Sequence, residues 1–473
     1  MRNMYRIFLL LFLLLPGQAF AGNASLSSHD GMASDFPDRP DRSDQGRRDI
    51  CSDLRLDHPL SLLEVVKYTL CKHPQLRGSR AAADVQQALL GVSEAARYPS
   101  LNGQGGLSGS RGRSGGVNSD SSQQSLSLSA SYLLYDFGGR EASVESARQL
   151  LQLADANRDA LLQNLFLTAV QAYYALLTAS ANVEALLVAE KFTQQSLHAA
   201  EARKRAGIAT SADQLQAKTA LSQATLNRIT GEGTLRSAQG SLAHAMGLQP
   251  TQVVSLAAAS DVMPDPLSEQ KIGELIELAQ QQRPDLLAAE AQLRAGEASI
   301  AASRAADMPQ ISLDSTVSAT NNSSGGINSQ RQNGSIGLNI TVPIFTGYRN
   351  RYQIAVAEAR LAGNIASRDQ LANQIALDVW KAFQGLQTSS EALRASADLV
   401  ASAEQSEKMA TGRYGAGVGN IIELLNAQSA LATAHQQQIA ARYNWQSAKF
   451  ILAQAIGLLD ANLLSGDGES ERE

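Results

Sequence analysis

The chain has 473 residues, a formal net charge of -5, two tryptophans, two cysteines and 5% aromatic residues. Its length would accommodate two or three ordinary domains, but so few bulky side chains among so much Ala and Gln favour thin helical packing over wide globular cores. The acidic balance, -7 once Arg2 and Arg6 leave with the leader described next, argues against a nucleic-acid partner.

Residues 1 to 21 carry Arg2 and Arg6, an apolar run from Ile7 to Leu15, a break at Pro16 and Ala19-Phe20-Ala21 before Gly22. That is the pattern of a secretory signal peptide, with an apolar core too short to span a bilayer. No cysteine follows the cleavage site, so N-terminal lipidation is not indicated. Residues 22 to 57, rich in Ser, Asp, Arg and Gly, read as a disordered linker. Cys51 and Cys71 flank a short helix opened by Ser61, with Glu64 three residues on as a capping box. In an oxidising compartment a disulfide between them would close a loop of about twenty residues and stabilise by about 3 kcal/mol. Two buried thiols are the alternative, and with no CxxC spacing neither reading makes them catalytic.

The first repeat spans residues 58 to 249 and the second 268 to 460, joined by a proline-bearing connector at 250 to 267 and followed by a tail at 461 to 473. Each repeat opens with a helix, Leu62 to Arg97 and Lys271 to Ala306, restarted at His73-Pro74 and at Arg283-Pro284. Pro99 and Pro309 then hand over to short-period alternation. A loop rich in Ser, Gly and Asn follows, Ser114 to Ser119 and Ser324 to Ser329, and supplies the positive φ a reversal needs. The return strand is clearest at Ile336, Leu338, Ile340, Val342 and Ile344, which alternate with polar or small residues and place Phe345 at the end. Its counterpart 210 positions earlier runs Leu126, Leu128, Ala130, Tyr132, Leu134 and Tyr135, with a following turn one residue longer. Tyr135 and Phe345 stand where a barrel girdle would lie.

Beyond the turns, Arg140 to Arg205 and Arg349 to Arg413 predict two helices of about 100 Å each at 1.5 Å per residue. Gly207 and Gly417 end them, and the chain returns through Ala212 to Met246 and Ile421 to Ile456. The 24-residue window Ala160 to Val183 lacks a charge, yet its counterpart carries Asp378 and Lys381. A membrane span in one copy alone would break the duplication, so these helices are expected in water or against each other.

Four amphipathic strands cannot span a bilayer alone, because open edges leave N–H and C=O groups unpaired in hydrocarbon. Two chains would close eight strands around a plug of side chains, and three would close twelve around a lumen. No Walker A loop, HExxH, G-x-S-x-G or metal-spaced Cys/His set is present, so no enzyme and no cofactor are expected. A soluble periplasmic coiled-coil adaptor would explain the helices but not the hairpins.

The tandem repeat, the element order and the turns Leu134-Tyr135-Asp136-Phe137-Gly138-Gly139 and Val342-Pro343-Ile344-Phe345-Thr346-Gly347 resemble the TolC family of outer-membrane channels. The resemblance covers residues 60 to 460. It implies a mixed α and β membrane protein with a tandem-duplicated TolC-like fold: a homotrimer with a twelve-stranded outer-membrane β-barrel continued by a long periplasmic α-helical barrel. It further implies contact with outer-membrane lipid, a periplasmic adaptor (membrane fusion) protein and an inner-membrane ABC transporter or proton-driven pump. Such a protein is the passive exit duct of a tripartite export system. The absent lipidation cysteine and the Tyr135 to Arg140 turn look more like type I protein secretion than drug or metal efflux, the alternative. By resemblance, Ala206-Gly207-Ile208 and Arg413-Tyr414-Gly415-Ala416-Gly417-Val418 match the adaptor-docking tip, while as residues alone the glycines read equally as helix C-caps. Glu423 and Asn426 fall where some members ring the closed entrance with acids, a possible periplasmic gate and cation ring to which Asp213 is assigned as well, and Gly419 stands where a gate-locking Arg is expected. The same residues read as helix caps: Asn420 with Glu423, and Thr210 with Asp213, each as a capping box.

Overall fold

A computed structural model describes residues 56–114, 117–257, 271–324 and 327–459. The leader, nearly all of the 22–57 linker with Cys51, the rest of the connector and the 461–473 tail lie outside the described residues.

The first repeat comprises α1 (Leu62–Lys72), α2 (Pro74–Ala95), β1 (Ser100–Ser114), β2 (Val117–Tyr135), α3 (Gly139–Arg205) and α4 (Ser211–Ala245). The second comprises α5 (Ile272–Gln282), α6 (Pro284–Ala305), β3 (Gln310–Ser324), β4 (Ile327–Thr341), α7 (Arg349–Gly415) and α8 (Ile421–Ala455). Every element begins 210 positions after its counterpart, the long helices included. From the start of the return strand to the start of the long helix the two copies therefore have the same number of residues, and the extra residue expected in the first turn is not there. Each instead holds two successive residues in the left-handed region, Phe137 and Gly138 in one and Gly347 and Tyr348 in the other.

Helix starts and stops follow from local chemistry. Ser61 and Glu64 complete the expected capping box on α1, and Pro74 and Pro284 occupy the first turns of α2 and α6, where a missing N–H costs nothing. Cys71 in α1 is disulfide-bonded. The long helices and the return helices end alike: the N–H groups of Gly207 and Ile208 donate to Lys204 and Arg203, and those of Gly417 and Val418 to Tyr414 and Arg413. Gly247-Leu248 and Gly457-Leu458 repeat the closure. The φ of these four glycines is +76° to +80°, which is why glycine stands at each.

The sheet is antiparallel in the order β1-β2-β3-β4, so β2 and β3 join the repeats and β1 and β4 are its edges. Its strands are longer than alternation suggested: β1 reaches Ser114 and β2 resumes at Val117, leaving two residues for the turn. β4, however, stops at Thr341, four residues short of Phe345. Pro343 has no N–H to donate, and the stretch corresponding to Val342–Phe345 in β2 is held by β3, with Tyr135 opposite Ile311 across a bulge.

α3 is the central pillar. It packs on α1, α2 and α4 of its own repeat and on α6 and α8 of the other, while α7 takes α5, α6 and α8. The main core gathers Val65, Val66, Phe166, Val170, Tyr173, Leu242 and Met246, and its counterpart Leu275, Ala279, Ile375, Val379 and Ile456. The uncharged window of α3 supplies Phe166, Ala169, Val170 and Tyr173 to the main core, so one face of its apolar run is spent on packing between helices. The connector contributes structure too: Leu60 and Leu256 form a parallel bridge, with Leu60 N–H donating to Ser255 and Ala257 N–H to Leu60.

Candidate functional site: the helical tip and the strand-bearing end

At the tip, two helical hairpins lie side by side, α3–α4 and α7–α8. Ala200 and Ala217 from the first pack with Ala410, Tyr414, Ile421 and Leu424 from the second. Small residues on the first hairpin let the second approach closely enough for Arg203 to reach across. Its Nη1 donates to the Tyr414 carbonyl at 2.6 Å and its guanidinium lies 4.4 Å from the Tyr414 ring centroid, a cation–π arrangement. The Tyr414 hydroxyl is buried with no hydrogen-bond partner among the described residues. Ser196 adds a hydrogen bond between the hairpins, 3.1 Å to Gln428.

The two return helices are capped differently. Thr210 and Asp213 form a complete box, each accepting from the other's backbone N–H, and the hydrogen bonds that the Asp213 carboxylate accepts from the Thr210 backbone N–H and then from the Thr210 hydroxyl hold it below its usual range. Asn420 accepts from the Glu423 N–H at 2.7 Å, but the Glu423 side chain does not return to the Asn420 backbone. It turns to Arg413, 3.2 Å away. The expected second capping box is thus half a box, because a guanidinium one helix away offers the carboxylate a stronger partner than a neutral N–H. Asn426 is exposed one turn further along α8.

Ile208 and Val418 are exposed apolar residues beside Gly207 and Gly417. A methyl group on Gly207 would meet nothing within 4 Å, whereas one on Gly417 would stand 3.2 Å from Arg203 Nη2. At Gly419 an added carbon would lie 3.0 Å from the Tyr414 nitrogen, so the backbone leaves no room there for the expected arginine without moving. The sequence reading missed Arg203, although it is the counterpart, 210 positions earlier, of Arg413.

At the other end of the long helices, Asp136 ties the strand to the helix. Its carboxylate accepts from the Arg140 N–H at 2.7 Å, and Arg140 Nη1 and Nη2 donate to the carbonyls of Leu133 (2.7 Å) and Leu134 (3.2 Å). Tyr135 packs edge-on against Phe137 at 4.8 Å, and Phe345 against Tyr348 at 5.5 Å. All four rings are exposed.

The register sorts the sheet into two faces. Leu101 and Leu107, Leu126 and Leu128, Val317, and Ile336, Leu338 and Ile340 share one face and are exposed. The opposite face is almost wholly Ser, Thr, Asn, Gln and Gly, from Asn102 and Gln104 through Ser125 to Ser131 and Thr316 to Asn339. A sheet with an exposed apolar band on one face and polar residues on the other suits a boundary between lipid and water.

A family model described as "Outer membrane efflux protein" matches twice, over residues 65–248 and 275–458. Protein CyaE of Bordetella pertussis is 30% identical over 421 residues, 88% of each chain. Cation efflux system protein CusC of Escherichia coli K12 is 26% identical over 83% of this chain and 85% of its own. Among solved structures, the outer-membrane channel OprN superposes with a TM-score of 0.74 at 22% identity, covering 84% of this chain and 89% of its own. The open state of the Neisseria gonorrhoeae MtrE outer membrane channel gives 0.71 at 23%, with the same coverage. The doubled match, the sheet with its lipid-suited face and the paired long helices agree: the chain belongs to the outer membrane efflux protein family and is a TolC-like outer-membrane channel protein with a large periplasmic helical part.

Proposed function

We propose that three copies of the chain close their sheets into one twelve-stranded barrel and their helices into one periplasmic tube, forming the passive duct of a tripartite export system. The observation that carries this reading is the four-stranded sheet with a lipid-suited face and two open edges, β1 and β4: in hydrocarbon those edges must be paired, and three copies leave a lumen lined by the polar face. The tip, with Gly207, Ile208, Arg413, Tyr414, Gly417 and Val418, is the adaptor-docking surface, since glycine backbones beside exposed aliphatic side chains accept a close apolar contact. Glu423 contributes a partly neutralised charge to the entrance, Asn426 none, and Asp213 serves its helix cap. Tyr135 and Phe345 form the periplasmic-side girdle.

The cargo is a polypeptide delivered by an ABC transporter and adaptor. The turn from Tyr135 to Arg140, clasped by Asp136 and Arg140, supports this. Efflux of small toxic species is the second reading, favoured by the names of relatives such as CusC and the toluene efflux pump outer membrane protein TtgF of Pseudomonas putida. Native mass spectrometry of the detergent-purified protein, followed by recording in a planar bilayer, tests the duct: trimers that conduct are expected, and non-conducting monomers would refute it. Loss of an extracellular polypeptide from a deletion strain, without increased sensitivity to solvents or metals, is expected for secretion, and the reverse phenotype would establish efflux.

A further inference from the structure

We propose that Asp314 makes the inner end of the barrel lumen cation-selective and that Arg331 opposes it with a ring of positive charge nearer the outside. This deepens the trimeric-duct reading and rests on it. The described strands carry five charged residues: Arg111, Arg113, Asp120, Asp314 and Arg331. Register places the first three on the face that bears Leu101, Leu107 and Leu126, beyond the apolar band toward the hairpin tip, where Arg111 and Asp120 pair at 2.8 Å. Asp314 lies on the other face, between Ser131 of β2 and Gly337 of β4, and Arg331 lies on that same face opposite Thr320. They are the two charges on a wall otherwise neutral among the described residues.

Asp314 is built in. Its carboxylate accepts hydrogen bonds from the Ser131 hydroxyl (2.7 Å), the Ser312 hydroxyl (2.9 Å) and Asn339 Nδ2 (3.0 Å), donors on three adjacent strands. All three are neutral, and no ion pair offsets the charge of Asp314 or of Arg331 among the described residues. The carboxylate is thereby held against the wall with its charge uncancelled. Asp314 stands near the start of β3, which follows the periplasmic helix α6, while Arg331 stands near the hairpin tip. Six residues of strand separate the two levels, about 20 Å at 3.3 Å per residue. With the strands tilted by about 40° in a closed barrel, that is about 15 Å along the lumen, longer than the Debye length of about 10 Å at 0.1 M salt, so each ring acts mainly on ions at its own level. Closing three chains sets three like charges around each level of the lumen, the arrangement by which charged rings select ions.

The test is the reversal potential of purified trimers in a KCl gradient. Asp314→Asn keeps the shape of the side chain and removes the charge. It is expected to lower the potassium-to-chloride permeability ratio roughly threefold, and Arg331→Gln to raise it by a similar factor. Charging Asp314→Cys with an anionic, water-soluble thiol reagent should restore the ratio, while the same reagent on Ser315→Cys, on the lipid-facing side, should leave it unchanged. Conducting Asp314→Asn trimers with the wild-type ratio would overturn the inference alone. A wild-type protein that passes no current would overturn the duct reading beneath it.

Discussion

Four glycines end helices in the same left-handed geometry but in different surroundings, which separates the conformational cost of a side chain from the packing cost. In Gly207→Ala the new methyl meets nothing within 4 Å, so the loss is the strain of an L-residue at positive φ, about 1 kcal/mol. In Gly247→Ala the same strain is joined by contacts of 2.9 Å to Pro74 Cδ and 3.1 Å to His73 Cα. These atoms belong to the rigid joint between α1 and α2 and cannot swing aside, so overpacking adds about 2 kcal/mol. Because an outer-membrane protein is not expected to unfold reversibly, the proper readout is local amide exchange and not a global midpoint. At tenfold per 1.4 kcal/mol, the Gly247 and Leu248 amides should exchange roughly a hundredfold faster in Gly247→Ala, and the Gly207 and Ile208 amides roughly fivefold faster in Gly207→Ala. Gly457→Ala, whose methyl would meet Arg283 N and Gln282 C at 3.0 Å, should behave like Gly247→Ala. Equal acceleration at the tip and at the joints would refute the packing argument.

Three further expectations follow from side-chain chemistry. The Glu64 carboxyl is held down at about 2 by the hydrogen bond from His58 and then by those from Ser61, against an ordinary 4.5; its contribution to α1 is full above about 4.5 and is lost as pH falls through about 2, so peptic cleavage within α1 should rise over that window and lose this dependence in Glu64→Gln. Burial works against the Arg283 charge, but hydrogen bonds and charges from Asp285 and Asp378 outweigh it and raise its pKa. Arg283→Met strips both carboxylates of their partner, and since each is about one-third exposed, solvent limits the loss to about 2 kcal/mol; adding Asp378→Asn should recover part of it in amide exchange of α5 and α6. Arg413→Gln frees Glu423 from its ion pair and should strengthen block of channel current by divalent cations at low salt, while Glu423→Gln should weaken it; identical block in both variants would remove the pair from the entrance.

The parts of the molecule legible in the sequence are those that one repeat specifies by itself. Caps, proline restarts and glycine stops act within a few residues, and their recurrence at 210 positions gave each element a second, independent reading. Contacts between repeats were not legible. Nothing near Arg203 announces that it will lie on Tyr414, or that Glu423 will choose Arg413 over its own helix cap, because those partners are set by how two hairpins dock. Strand length failed for another reason. Toward the hairpin tips both faces are polar, as at Ser121 to Gln124, so the period-two signal vanishes while the backbone ladder continues to Ser114 and Val117. Alternation reports a difference between two environments, and it falls silent where the strand leaves the lipid for water on both sides.

The barrel-side turns show how a duplicated structure can survive a sequence that no longer matches residue for residue. Both turns need two consecutive left-handed residues, and each supplies one glycine and one aromatic in opposite order: Phe137 at φ 54° then Gly138, and Gly347 then Tyr348 at 63°. An aromatic residue at positive φ carries strain of about 1–2 kcal/mol. In each turn that same ring packs edge-on against a neighbour, Phe137 against Tyr135 and Tyr348 against Phe345, a contact that supplies about 0.5–1.5 kcal/mol beyond its area. In the first turn Asp136 and Arg140 add a hydrogen-bonded clasp, which Thr346 and Asn350 do not reproduce; Asn350 bonds instead to Asp307 and Ala306. Aligning glycine with glycine shifts the two copies by one position and makes the first turn look longer. Aligning backbone conformations restores the 210-residue register, because the fold requires two left-handed residues there and is indifferent to which of them lacks a side chain.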